Sequence, residues 1–366
     1  MSWTSPISGA PLVRDTEHSL SDGAGERWPV IDGIAYLRTG RGWLVNEALD
    51  RLDHGHRQSA LVALLADQDP WFKGPAPDPL DLVALIEKRD ELSLREAMAL
   101  LRFGPVADYF AHRWSDPTFL AGLALLEAHR GEARTAFELA AGIGQYAREL
   151  GRVGLECVCC DIVFAKCWLA KHWIAPDAQY VVFDARDRWP IGARQFDLVH
   201  CQDAFYFFSE QPAVAERLRR ATASDGVLAV GHLHNAAVKG GAFGPARTAR
   251  EWRDLFPAAR VYDERALRAA LLEGEVPEER KWSRSSAIEA WSVVEGGGPP
   301  ARLDGGMAVP HTAARLMPNP LIGEDGPAWP SSRYEAEYGR AASWIDPAPG
   351  SAPERDRRML DLPERW

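Results

Sequence analysis

Residues from about 134 to 296 predict a doubly wound α/β fold with a mostly parallel sheet. Short apolar runs rich in Val, Phe, Leu and Cys (TAFELA, GLECVCCD, YVVFDA, FDLVHCQD and GVLAVGHL) alternate there with helical stretches. Strands that are apolar almost throughout are the mark of a sheet covered by helices on both faces. The glycine turn ELAAGIGQYA ends the first run and opens a helix, and a late pair of runs near RVYD and AIEAWSVVE completes the pattern.

The rest of the chain divides around this domain. Residues 1–40 are rich in Gly, Pro and Ser, with one short apolar segment from Trp28 to Leu37 that reads as a strand pair or a strand and turn. Residues 41–130 carry apolar residues at three- and four-residue spacing, as in VNEALDRLDHGHRQSALVALLAD, and read as a helical cap module. Asp78, Ser93 and Asp116 precede apolar periodic runs and are expected helix N-caps, two of them followed by proline. The domain proper is assigned to 131–296. Beyond it, 297–366 is a Pro- and Gly-rich tail with too little periodicity for a core of its own, so it drapes over the body or is partly disordered. Its aromatics Trp329, Tyr334, Tyr338 and Trp344 suggest docking on the body or on a second copy.

Bulk properties narrow the function classes. A formal charge of -10 argues against a nucleic-acid binder and favours a small-molecule substrate. Four of the five cysteines crowd between Cys157 and Cys167, unlike a secreted disulfide framework. No stretch approaches the ~18 apolar residues of a membrane span, and the N-terminus has neither a basic start nor an apolar run. These features predict a cytoplasmic protein with no membrane partner; a homodimer stays open.

The chemistry concentrates at strand ends. Glycines in Gly142-Ile-Gly-Gln-Tyr-Ala147 permit a tight turn and a close backbone approach to a ligand. The same residues satisfy the dinucleotide pattern G-x-G-x-x-G/A, with Asp161 near the expected distance downstream, which keeps a nicotinamide-dependent oxidoreductase as an alternative. Glu138 just before the turn suits an ammonium group instead. With this acid, the turn and Asp161, the sequence resembles the class I S-adenosylmethionine-dependent methyltransferase family, whose first motif is an acid followed by a G-x-G-x-G run.

That resemblance implies a seven-stranded Rossmann-like sheet and S-adenosylmethionine as cofactor, held by Glu138, Ala140, Gly142, Gly144, Asp161, Ile162, Asp184, Ala185 and Gln202. Ala140 stands where the family has the first glycine. Asp161 matches the acid that binds the ribose hydroxyls, Asp184 the acid beside the adenine amino group, and Ala185 supplies the neighbouring N–H. HCQDAFYF (200–207) looks like the stretch that lies between cofactor and acceptor in several small-molecule methyltransferases.

Asp203 is therefore a candidate to orient or deprotonate the acceptor, and a helix N-cap is its alternative reading. His232 and His234, in GHLHN, alternate along a strand onto one face, and either is a candidate general base. No metal is expected, since two histidines at this spacing need further ligands. The cysteines of the second strand read as core filling. His54 and His56 read as solvated surface, and Tyr109, Phe110, Trp114, Tyr206 and Phe207 as core more than pocket.

The segment WPVIDGIAYL (28–37) resembles the closing half of the small zinc-ribbon domain that precedes some bacterial methyltransferases, without the cysteines that would hold zinc. The activity implied is methyl transfer to an O-, N- or C-nucleophile of a small molecule. A non-catalytic S-adenosylmethionine-binding assembly protein is the remaining alternative.

Overall fold

The computed structural model describes residues 2–68, 74–238, 245–310, 314–339 and 357–366. Among these residues the chain is organised on one twelve-stranded sheet. Its strands are β1 (Trp3–Thr4), β2 (Pro11–Thr16), β3 (Ser19–Ser21), β4 (Arg27–Ile31), β5 (Ile34–Tyr36), β6 (Thr135–Leu139), β7 (Glu156–Asp161), β8 (Gln179–Val182), β9 (Phe196–Gln202), β10 (Thr222–His234), β11 (Arg260–Asp263) and β12 (Ala290–Gly296). Their spatial order is β1-β2-β3-β4-β5-β8-β7-β6-β9-β10-β12-β11.

The seven strands from β8 to β11 are the sheet that the sequence predicts. Strands β8, β7, β6, β9 and β10 run parallel, and β12 is antiparallel to both β10 and β11. The five N-terminal strands extend this sheet, which the sequence did not reveal. Asp32 and Gly33 both have left-handed backbones (φ 54 and 77) between the paired residues Ile31 and Ile34, the geometry of a two-residue hairpin whose twist matches its strands. The hairpin hands β5 to the edge of the parallel sheet, pairing Ala35 with Val181 and Tyr36 with Val182. Tyr36 is fully buried there.

Between β5 and β6 run α1 (Gly42–Asp53), α2 (Arg57–Ala66), α3 (Pro79–Glu87), α4 (Leu94–Leu100), α5 (Pro105–His112) and α6 (Pro117–His129). The three expected caps are present. Asp78 accepts the Leu80 N–H, Ser93 forms a capping box with Glu96, and Asp116 accepts the Phe119 N–H. These bonds satisfy donors that the first helical turn leaves open. Every residue of α6 is buried, which explains why its sequence, PTFLAGLALLEAH, shows no polar face.

The remaining helices are α7 (Gln145–Arg152), α8 (Phe164–Leu169), α9 (Gln211–Ala221), α10 (Ala249–Leu255), α11 (Glu264–Glu273) and α12 (Ser332–Tyr338). The described parts of the tail drape over the body rather than folding alone. Leu321, Tyr334, Tyr338, Leu360 and Leu362 are buried in the common core, while Trp344 lies outside the described residues. Trp366 Nε1 donates to the Ala111 carbonyl at 2.6 Å, and the indole meets the His112 ring edge-on and the Arg95 guanidinium face-on. Trp366→Ala is expected to lower the free energy of unfolding by about 1–3 kcal/mol; denaturant titration checks this, and an unchanged midpoint would show that α5 does not depend on the anchor.

Candidate active site

The glycine turn sits at the carboxyl edge of the sheet, where open α/β folds place their ligands. Ala140, Gly142 and Gly144 all have left-handed backbones, with φ 60, 56 and 82. Glycine adopts this conformation freely, but a residue with a Cβ does so at a cost of roughly 1–2 kcal/mol. The departure at Ala140 is therefore a conformational burden at the start of the turn. A Cβ on Gly142 would lie 3.0 Å from Phe110 Cε1 of α5, and one on Gly144 would lie 3.0 Å from Ala170 Cβ. Gly144 permits close helix packing, while Gly142 lets the Phe110 ring rest directly on the turn.

The predicted acids stand at successive strand ends. Glu138 in β6 is 4% exposed. Burial, with a smaller contribution from the Asp161 charge, pushes its carboxyl up to about 8. Asp161 ends β7, and its two oxygens accept the Gly142 and Val163 N–H groups, each at 3.0 Å. A carboxylate offers about four acceptor positions, so Asp161 can anchor the turn and still accept from a vicinal diol. Ile162 follows it, and its carbonyl accepts a hydrogen bond from Arg38 at 3.3 Å. Asp184 lies just beyond β8 in an ion pair with the exposed Arg186 at 2.6 Å, which holds its carboxyl below the usual range although burial opposes this. The Ala185 carbonyl is taken by Trp189 and Arg217.

Gln202, at the end of β9, lies across β10 so closely that a Cβ on Gly231 would stand 1.8 Å from its Oε1. Among the described residues its buried Nε2 has no hydrogen-bond partner, which leaves a donor for an acceptor oxygen at the strand tips. A diol acceptor at Asp161, an unpartnered donor at Gln202 and a second acid at Asp184 together fit an adenosyl group with an amino-acid tail.

Asp203, just beyond β9, centres a buried ionic cluster. Asp203 receives Tyr109 Oη at 2.9 Å, Tyr206 Oη at 2.8 Å and Arg113 Nη1 at 3.1 Å. Arg113 also binds Asp116 at 3.0 Å, and His232 Nε2 stands 3.7 Å from Asp203 Oδ1. Burial pushes the Asp203 carboxyl up, but His232 and Arg113 outweigh it and hold the group below its ordinary value. Asp203 is thus no helix cap.

The two histidines come together, with ring centroids 4.6 Å apart, though not through strand alternation. The β10–β12 ladder shifts register between Val230 and Leu233, and His232 has φ 59. Their protonation differs. His232 is raised to about 9 because Glu264 and Asp203 overcome burial, whereas burial and the neighbouring His232 depress His234 to about 4. These shifts favour the charged form of His232 and the neutral form of His234 at neutral pH, and a general base needs the neutral form.

The other sequence readings divide. Cys157, Cys159, Cys160, Cys167 and Cys201 are all buried free thiols. His54 and His56 are exposed. Phe207 is 51% exposed rather than core. Tyr109 and Tyr206 bond Asp203 and belong to the site. Sequence reasoning missed Arg113 and Glu264. Arg113 had a signal, since an arginine three residues before a capping aspartate in an apolar stretch suggests a buried pair; Glu264, at an ordinary helix start, had none.

A doubly wound sheet with a glycine turn and acids at its strand tips defines a cofactor-binding domain of the nucleotide-binding type. Residues 137–230 match the family model for a methyltransferase domain. This segment is a methyltransferase domain, and S-adenosylmethionine is its cofactor. No curated protein matches the chain in sequence.

Similar solved structures include an amino pentose methyltransferase from Micromonospora echinaspora with S-adenosylmethionine bound, 21% identical over 35% of this chain and 56% of that one, TM-score 0.30. A TehB-like S-adenosylmethionine-dependent methyltransferase from Corynebacterium glutamicum is 17% identical over 53% of this chain and 100% of that one, TM-score 0.36. A third is the complex of the Haloferax volcanii Trm112 methyltransferase activator with a methyltransferase, 16% identical over 54% of this chain and 96% of that one, TM-score 0.39.

The raised Glu138 carboxyl makes a stability prediction. Its folded value, about 8, exceeds the unfolded value of 4.5, so the native state binds the extra proton and loses stability as pH rises between these values. Glu138→Gln should raise the melting temperature relative to wild type by a margin that widens from pH 5 to pH 8.5. A constant margin would mean that Glu138 ionises normally.

Proposed function

We propose that this protein transfers a methyl group from S-adenosylmethionine to a small-molecule acceptor carrying an oxygen, nitrogen or carbon nucleophile. The observation that carries this reading is Asp203, a buried carboxylate held below its ordinary pKa within a methyltransferase domain. When bound, the cofactor supplies an electrophilic methyl on a sulfonium. Asp161 would hold the ribose, Asp184 and Ala185 the adenine, and the turn from Ala140 to Gly144 with Gln202 the amino-acid end. Asp203 would orient the acceptor and take its proton, with His234 as the neutral histidine at hand. Tyr109, Phe110 and Tyr206 would exclude water, so that placing two reactants together supplies much of the acceleration.

Access requires α5 to lift. Phe110 rests on Gly142 and Tyr109 donates to Asp203, so this helix covers both the glycine turn and the acid. The backbone leading into it is left-handed at Arg102 and Gly104 (φ 52 and 55), and a cavity of about 440 Å³ bordered by Met98, Gly104, Ala107 and Ala111 lies beside it. The five free cysteines support a cytoplasmic setting. No helix among the described residues is long and apolar enough to cross a membrane.

Calorimetry with S-adenosylhomocysteine tests the cofactor assignment: wild type should bind, Asp161→Ala should weaken binding at least ~100-fold, and Phe110→Ala should speed association. Binding of NAD(H) in its place would install the oxidoreductase reading. Incubation with S-adenosylmethionine and a metabolite extract should yield a product heavier by one methylene; the absence of any turnover would leave a non-catalytic binding protein.

A further inference from the structure

The ionic cluster continues inward from Asp203. Glu264, the first residue of α11, is 5% exposed, and its Oε2 lies 2.8 Å from His232 Nδ1. Its other oxygen accepts a hydrogen bond from Ser292 Oγ of β12 at 3.1 Å. Across the ring, His232 Nε2 faces Asp203 Oδ1 at 3.7 Å. The imidazole is therefore suspended between two carboxylates, one on each nitrogen. Its backbone is strained as well, with φ 59 beside the register shift of β10. Such a conformation persists only where the surroundings impose it, and it concentrates at functional positions.

We propose that Glu264 is a positioning residue, fixing the His232 ring so that Nε2–H is directed at Asp203 and a positive charge stands behind the acceptor-facing carboxylate. This rests on the reading that Asp203 faces the acceptor. The groups around the ring explain why one residue decides its state. Glu264 reaches it from α11, Asp203 from the loop after β9 and Arg113 from the turn before α6, while His234 and Tyr206 present rings at 4.6 and 6.2 Å. Arg113 is committed to Asp116 and Asp203. Burial alone would strip the proton from His232; the Glu264 carboxylate is the largest influence opposing it, followed by Asp203.

Without Glu264, the ring would lose its proton near neutrality and could turn, and Asp203 would lose its positive neighbour. The role differs from merely tying α11 to the sheet, because it predicts a change in the titration of a residue on another element.

The test needs no acceptor. A nitrogen-15 NMR titration of the histidine rings in the full chain should find wild-type His232 protonated beyond about pH 8, against ~6.5 for an unperturbed histidine. Glu264→Gln should bring its midpoint below about 7, and Glu264→Asp should restore part of the difference. Should Glu264→Gln fail to fold, wild type and Ser292→Ala decide, the latter expected to lower the midpoint by a smaller amount because the carboxylate remains. A wild-type His232 that is neutral at pH 7, or a Glu264→Gln variant that titrates like wild type, overturns the assignment. Calorimetry with S-adenosylhomocysteine on the same samples separates the two readings. A wild type that binds none removes the methyl-transfer reading while the His232 titration still stands or falls by its own result.

Discussion

A carboxylate kept charged in a dry environment is the constraint on which this structure turns. Asp203 is 6% exposed at its side chain, and a lone ionised group there would be driven to neutralise or to drag in water. It is retained because four elements deliver partners to it: Tyr109 from α5, Arg113 from the turn before α6, Tyr206 from the loop after β9 and His232 from β10. The cluster therefore dictates how the helical segment seats on the carboxyl edge of the sheet, and the same contacts make that edge a place where charge can be handled away from solvent.

The adenosyl end is built differently. There the backbone carries the geometry, through left-handed residues in the turn and N–H groups bound to Asp161. This contrast explains what was legible in the sequence. Glycines and acids that end apolar runs are local signals, so Gly142, Gly144, Asp161 and Asp184 could be placed on strand ends from spacing alone. The caps Asp78, Ser93 and Asp116 were legible for the same reason, since a cap acts within three residues.

Long-range partnerships leave no such trace. Tyr109 meets Asp203 across 94 positions and Glu264 meets His232 across 32, and nothing in either neighbourhood marks the contact. Tyrosines in an apolar helix read as core filling, which is true of their rings and misses their hydroxyls. The histidine pair shows a subtler failure. His232 and His234 do lie together, as expected, but a bulge rather than alternation achieves this, and the charge of His232 is set by neighbours outside the strand.

The hairpin that carries β5 to the sheet has a bearing on how the chain comes into being. Its residues leave the ribosome well before the strand against which Tyr36 lies, which includes Val182, 146 positions later. During that interval Ile34, Ala35, Tyr36 and Leu37, all essentially buried in the finished protein, have β4 on one side but lack the β8 edge on the other. Contacts of such sequence separation form late and slowly, and an unpaired apolar strand waiting in solution is a site for mispairing. The N-terminal strands thus make biosynthesis a matter of timing: a segment synthesised before its partner strand is among the last that can dock.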